Sequence, residues 1–168
     1  MMRSWRFIPF LALALVLSAC AREGNVVTAL SGDTFYGASC LSGGGKIAAA
    51  ADWSKAKTID VRIRQGEFSR VFLELKQNKP YILKLSNGDD STRMFQAQDF
   101  FRTIALNKIT IDGKPFKETC FSAINIPPQK VAEVSFIPTR DGDYSFDDYF
   151  LMMPAFPSLG LDGTITVE

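Results

Sequence analysis

Apolar and polar residues alternate with a period of two along most of the chain after Thr58. Ile59, Val61 and Ile63 are interleaved with Asp60, Arg62 and Arg64, and after a break at Gln65-Gly66-Glu67 the alternation resumes at Val71, Leu73 and Leu75. This pattern, rich in β-branched residues, predicts half-buried strands. Asn78-Lys79-Pro80 turns the chain into a strand over residues 81–85, which Asn87-Gly88-Asp89-Asp90 ends. Further strands are predicted over 108–111, around 119–124, from 131, over 144–146 and over 160–167, with turns at Asp112-Gly113-Lys114-Pro115 and Asp141-Gly142. Residues 96–104 break the alternation; Phe100, Phe101 and Ile104 there suit one or two helical turns. Seven or so short strands between turn signals predict an all-β sandwich. Neither a βαβ alternation nor an internal repeat is present.

The N-terminus has a different pattern. Arg3 and Arg6 precede an apolar run over residues 7–17, and Ser18-Ala19 places small residues before Cys20. Basic, apolar and small segments in that order predict a secretory signal. The apolar run is about half of the roughly 20 residues that span a bilayer. Leu17-Ser18-Ala19-Cys20 resembles a bacterial lipobox, which implies cleavage before Cys20 and lipidation of that cysteine. Cleavage elsewhere, as in a plain signal peptide, would leave Cys20 unexplained. Two acyl chains on one residue anchor a protein stably, so the implied partner is a membrane. Ala21, in place of Asp, favours the outer membrane among Gram-negative lipoproteins. The predicted organisation is a signal peptide over 1–19, a lipid-anchored tether over 20–56 and a β domain over 57–168, in the cell envelope and facing the periplasm.

Composition adds little to this except by exclusion. Loss of Arg3 and Arg6 takes the 19 basic residues to 17 against 18 acidic ones, and no Lys/Arg block occurs. Nucleic acid is therefore not expected as a partner. The tether is rich in Gly, Ser and Ala, including Gly43-Gly44-Gly45 and the run Ala48 to Ala51. Phe35, Tyr36, Cys40 and Trp53 are available within it to pack on the domain, and the alanine run followed by Asp52 and Trp53 suits a helical turn.

The last third of the chain carries a family resemblance. An apolar strand from Val131, a turn at Thr139-Arg140-Asp141-Gly142, then Tyr144-Ser145-Phe146 and a closing Gly160-Leu161-Asp162-Gly163-Thr164-Ile165-Thr166-Val167 resemble the C-terminal half of cupredoxins. Tyr81 to Phe95 is similar to that family's strand ending in Asn-x-Asp, followed by His-x-Phe, with Asn87 and Asp89 in the first motif. The resemblance implies a cupredoxin-like Greek-key β-sandwich with a short helix in one loop. It also implies where copper ligands would stand. Arg93 occupies the place of the first histidine, Asp148 that of the thiolate in Gly142-Asp143-Tyr144-Ser145-Phe146-Asp147-Asp148, and Leu161 that of the axial methionine.

A blue-copper centre uses two imidazoles, one thiolate and a weak axial thioether. The chain contains no histidine, an arginine does not bind a cation, and leucine has no donor atom. Type 1 copper is therefore not expected. The lack of imidazole also removes Ser-His-Asp triads and histidine zinc sites, and with no nucleophile–base pair or phosphate loop the chain is read as a non-enzyme. Soft thioethers select Cu(I). Met94 lies beside Arg93, and Met152 and Met153 lie in the loop that would carry the remaining ligands, so a non-blue site of these methionines is one expectation. The plainer reading is that they fill gaps in loops or core. Asp141, Asp143, Asp147 and Asp148 do not make an EF-hand loop, because the twelfth position counted from Asp141 is Met152 and not Glu. Asp147 and Asp148 are instead expected to be solvated, or one of them to pair with Arg93 and fill the vacated ligand positions.

With Cys20 assigned to lipid, Cys40 and Cys120 remain. Two thiols in an oxidising envelope most often form a disulfide; the rival is Cys120 as a free soft ligand with the methionines. Two functions follow. The first is an envelope lipoprotein that handles copper through a Met-based site, and the second a metal-free cupredoxin-like module acting as an accessory subunit on an envelope protein. Tyr149, Phe150 and Phe156 would supply a docking surface for the second, or a buried cap over the barrel end.

Overall fold

Strand β2 (Lys57–Arg64) uses the alternation directly: Ile59, Val61 and Ile63 are buried, while Asp60, Arg62 and Arg64 face outward. The computed structural model describes residues 27–29, 40–117, 120–148 and 162–168. β2 runs parallel to β5 (Tyr81–Asn87), with Ile59 opposite Leu83 and Ile63 opposite Asn87. β5 is antiparallel to β10 (Val131–Pro138), whose other side pairs with β7 (Ile104–Ile111). The short strands β3 (Glu67–Phe68) and β8 (Lys114–Phe116) complete this six-stranded sheet at its two edges.

The second layer consists of two three-stranded pieces. One has the order β1 (Val27–Ala29), β9 (Phe121–Ile126), β6 (Arg93–Gln96). The other is β11 (Gly142–Phe146), β12 (Gly163–Val167), β4 (Phe72–Leu75), in which β12 lies antiparallel to β11 and parallel to β4. A bridge between Gln96 and Asp147 joins the two pieces, with the two residues exchanging N–H···O bonds of 2.9 and 3.0 Å.

Between the layers lies an aromatic core. Phe68, Phe95 and Phe146 form a triangle with ring centroids 4.9 to 5.8 Å apart, and Phe101 packs on Phe121 at 4.4 Å. Such pairs stabilise by about 0.5–1.5 kcal/mol each beyond the area they bury. Gly163 faces Phe146 across β11 and β12, and a Cβ there would overlap the Phe146 ring. The aromatic ring is accommodated because residue 163 has no side chain.

The helical turns expected within 96–104 are α2 (Gln98–Phe101), which buries Phe100 and Phe101. The strand expected around 119–124 is β9, shifted toward the C-terminus so that Phe121, Ala123, Ile124 and Ile126 all reach the interior. In the segment before β2, the helical turn expected with Asp52 and Trp53 is a single 3-10 turn over Trp53–Lys55, capped by the Asp52 side chain, and α1 (Gly44–Ala49) precedes it. α1 packs closely on β7: a Cβ on Gly44 would stand 3.3 Å from the Ala105 Cα, so any larger residue there would have to push β7 back by a few tenths of an ångström. Ala48 joins Ala105 and Ile137 in a small apolar cluster, with Leu41 and Trp53 against it. The Trp53 Nε1–H donates to the Ala48 carbonyl at 2.9 Å. Cys40 and Cys120 form a disulfide, Cα atoms 5.7 Å apart, tying this segment to the start of β9. Cys120 is therefore not a free soft ligand.

Candidate functional site

The end of β5 places a polar residue where the alternation demands an apolar one. Asn87 is the last inward-facing position of that strand and is buried. An unbonded amide there would be costly, and every polar atom is used. The Nδ2 donates toward the carbonyls of Ser91 (2.8 Å), Ile126 (2.9 Å) and Pro127 (3.1 Å), while Oδ1 accepts from the Asp89 N–H at 2.9 Å. Asn87 thus folds the 87–91 loop back on β9 and fixes the position of Asp89.

Asp89 and Asp148 hold Arg93 between them. The Arg93 Nε donates to Asp89 Oδ2 at 2.6 Å and Nη1 to Asp148 Oδ2 at 3.2 Å. The second oxygen of each carboxylate is also used: Asp89 Oδ1 accepts from the Gln65 N–H (2.7 Å) and Asp148 Oδ1 from the Met94 N–H (3.0 Å). The side chains of Arg93, Asp89 and Asp148 are 15%, 11% and 2% exposed, so the cluster is largely withdrawn from water. Its assembly follows from the bridge at Gln96 and Asp147, because the next residue along, Asp148, then falls beside β6 at Met94.

The two carboxylates titrate in opposite senses. Burial raises the Asp148 carboxyl above its ordinary range, against the pull of the Met94 N–H and the Arg93 guanidinium. Burial also acts on Asp89, but the Gln65 N–H and Arg93 outweigh it and hold that carboxyl below its ordinary value. Asp147 is raised by burial and then by the charges of Asp162 and Asp148. It does not pair with Arg93, and its Oδ1 is buried without a hydrogen-bond partner among the described residues.

Of the residues singled out in the sequence, Arg93, Met94 and Asp148 come together here. Met152, Met153, Leu161 and the lipidation position Cys20 lie outside the described residues, as do Tyr149, Phe150 and Phe156. Met94 is 8% exposed and lies outside the main aromatic cluster. Sequence reading did not anticipate that Asp89 holds Arg93 by the shorter contact; the spacing of four between them was the available signal. The residues present do not fit a type 1 copper ion: no imidazole exists in the chain, the Cys40 and Cys120 sulfurs are bonded to each other, and the Arg93 guanidinium, which binds no cation, lies between the two carboxylates. Among the described residues no group of His, Cys, Asp and Glu side chains is arranged to hold a metal ion.

No protein-family profile matches the chain, and no curated protein does. Solved structures share its fold. A multi-copper oxidase from Pseudomonas thermotolerans is 17% identical with a TM-score of 0.53, over 70% of this chain and 31% of that one. A blue copper oxidase from Nitrosomonas europaea is 13% identical with a TM-score of 0.50, over 68% of this chain and 45% of that one. A multi-copper oxidase from Pediococcus acidilactici is 13% identical with a TM-score of 0.50, over 67% and 26%. The chain thus spans less than half the length of each. The likeness establishes a cupredoxin-like β-sandwich.

Proposed function

From the premise of a cupredoxin-like fold, we propose that this chain is an envelope lipoprotein whose domain works without type 1 copper, as a non-enzymatic accessory module that binds another envelope protein. The observation that carries this reading is the Arg93 guanidinium held between Asp89 and Asp148 at 2.6 and 3.2 Å. It fills with a protein-borne cation the position where the family resemblance puts a copper ligand. The Cys40–Cys120 disulfide supports an oxidising compartment, since such bonds persist outside the cytosol. Anchoring through Cys20, on the periplasmic side and in the outer membrane, belongs to the same proposal.

A second reading is favoured by one observation. Met94 is buried beside the cluster yet outside the aromatic core, as a thioether reserved for Cu(I) with Met152 and Met153 would be. Competition for Cu(I) with a chromophoric chelator under reducing conditions separates the two. The accessory-module reading expects no binding above that of a chain with Met94, Met152 and Met153 all changed to Leu. One tight equivalent that this triple change abolishes would replace it with copper handling.

A further inference from the structure

Among the described residues, strand β4 forms one edge of its three-stranded sheet and pairs only with β12. The Thr164 N–H donates to the Val71 carbonyl (2.7 Å), the Glu168 N–H to the Leu75 carbonyl (3.0 Å) and the Gln77 N–H to the Glu168 carbonyl (2.6 Å). In a parallel ladder this commits the backbone groups of residues 71, 73, 75 and 77 to β12 and turns those of 72 and 74 outward. Lys76, next in the outward set, gives its N–H to the Tyr81 hydroxyl at 2.8 Å. Among the described residues nothing pairs with the outward groups of Phe72 and Glu74.

The side chains along this edge are as telling as the backbone. Phe72 is 77% exposed, far more than the next large apolar side chain, Ile47 at 42%. Arg70 and Glu74, two residues to either side of it, are exposed and form no ion pair among the described residues. Free edges are ordinarily blunted by charge or kept short, and a phenylalanine at the centre runs against that rule.

We propose that β4 pairs antiparallel with β4 of a second copy of this chain, about a two-fold axis at Phe72. The sequence Arg70-Val71-Phe72-Leu73-Glu74 is self-complementary about that axis. Phe72 meets the partner's Phe72, and Arg70 meets the partner's Glu74 twice over by symmetry. Phe72 and Glu74 are also the β4 residues whose backbone groups face outward, so the pair of facing Phe72 residues is a hydrogen-bonded one. A two-fold axis at Leu73 would instead set Arg70 against the partner's Lys76, and like charges directly opposite destabilise a sheet. Pairing at Phe72 merges the two β11-β12-β4 pieces into one sheet across the dimer. This inference is independent of the copper question.

Two experiments on the full chain test it. Facing residues of a hydrogen-bonded antiparallel pair have Cα atoms about 5.5 Å apart, inside the roughly 4.4–6.8 Å that a disulfide spans. Phe72→Cys is therefore expected to give a covalent dimer under mild oxidation, whereas Glu74→Cys, which faces the partner's Arg70, is not. In sedimentation equilibrium in detergent, Arg70→Glu and Glu74→Arg are each expected to weaken association about tenfold, and the double reversal to restore it. A chain that stays monomeric, equal trapping at residues 72 and 74, or single reversals without effect overturns the proposal. Trapping of Phe72→Cys on a different envelope protein in cells also overturns it, and assigns the edge to that protein.

Discussion

Replacing Arg93 by alanine removes the cation between two carboxylates, one of which has a side chain only 2% exposed. At a separation near 4 Å and an effective dielectric of 20, one such attraction amounts to about 4 kcal/mol. Removing one partner of a buried pair costs about 3–5 kcal/mol, because the remaining charge is left desolvated. We expect Arg93→Ala to lower unfolding free energy by about 3–4 kcal/mol at neutral pH, at the lower half of that range because Asp148 can take up a proton and Asp89 keeps its Gln65 N–H. The pH dependence follows from linkage. A carboxyl raised in the folded state, as Asp148 is, favours folding most below its unfolded pKa of about 3.9 and loses that contribution as pH rises through its folded value. Without Arg93 the Asp148 pKa rises further, so the cost of the substitution should shrink as pH falls from 7 toward 4. Asp89, lowered in the fold, contributes in the opposite sense, above its unfolded pKa, and part of that contribution also goes with Arg93. Urea unfolding of the two proteins across that range is the assay. A cost below about 1 kcal/mol that does not change with pH would refute the view that Arg93 neutralises a buried carboxylate.

Other substitutions probe the surrounding frame. Gly163→Ala forces a methyl into the Phe146 ring and should destabilise by about 1–3 kcal/mol in thermal or urea unfolding, whereas Phe146→Leu in the same background should recover part of the loss. Asn87→Ala leaves the Ile126 and Pro127 carbonyls without their donor and frees the 87–91 loop; a loss of about 2–4 kcal/mol is expected in the same assay. Reduction of Cys40–Cys120, which are 80 residues apart, should lower stability by about 2–5 kcal/mol, read as a shift in the urea midpoint with little change in secondary structure by circular dichroism.

The strands were legible in the sequence because inward and outward residues alternate from Thr58 to Arg64 in β2 and throughout β4 and β5. The disulfide was legible from two remaining thiols, and the pairing of Arg93 with Asp147 or Asp148 was one of two alternatives that the resemblance to cupredoxins offered, the other being solvated aspartates. The choice between those aspartates was not. It depends on the antiparallel bridge at Gln96, which aligns Asp148 and not Asp147 with the backbone of Met94. Asp89 was read as a turn residue, and only the amide of Asn87, buried at the end of β5, directs it toward Arg93. The glycines before β2 were read as part of a tether, because composition does not show that Gly44 lies against Ala105.

The central place of β12 in its sheet has a consequence for how the protein is made. Among the described residues β4 has no strand partner other than β12, and Phe72 and Thr164 are register partners although 91 residues of chain lie between them. Ribosomes deliver β4 long before β12, so the nascent chain cannot close this sheet until the residues of β12 have also emerged. During that interval β4 exposes both of its edges, and Leu73 and Leu75, destined for the core, have no sheet to hold them. Completion of this half of the sandwich is therefore a late event in synthesis.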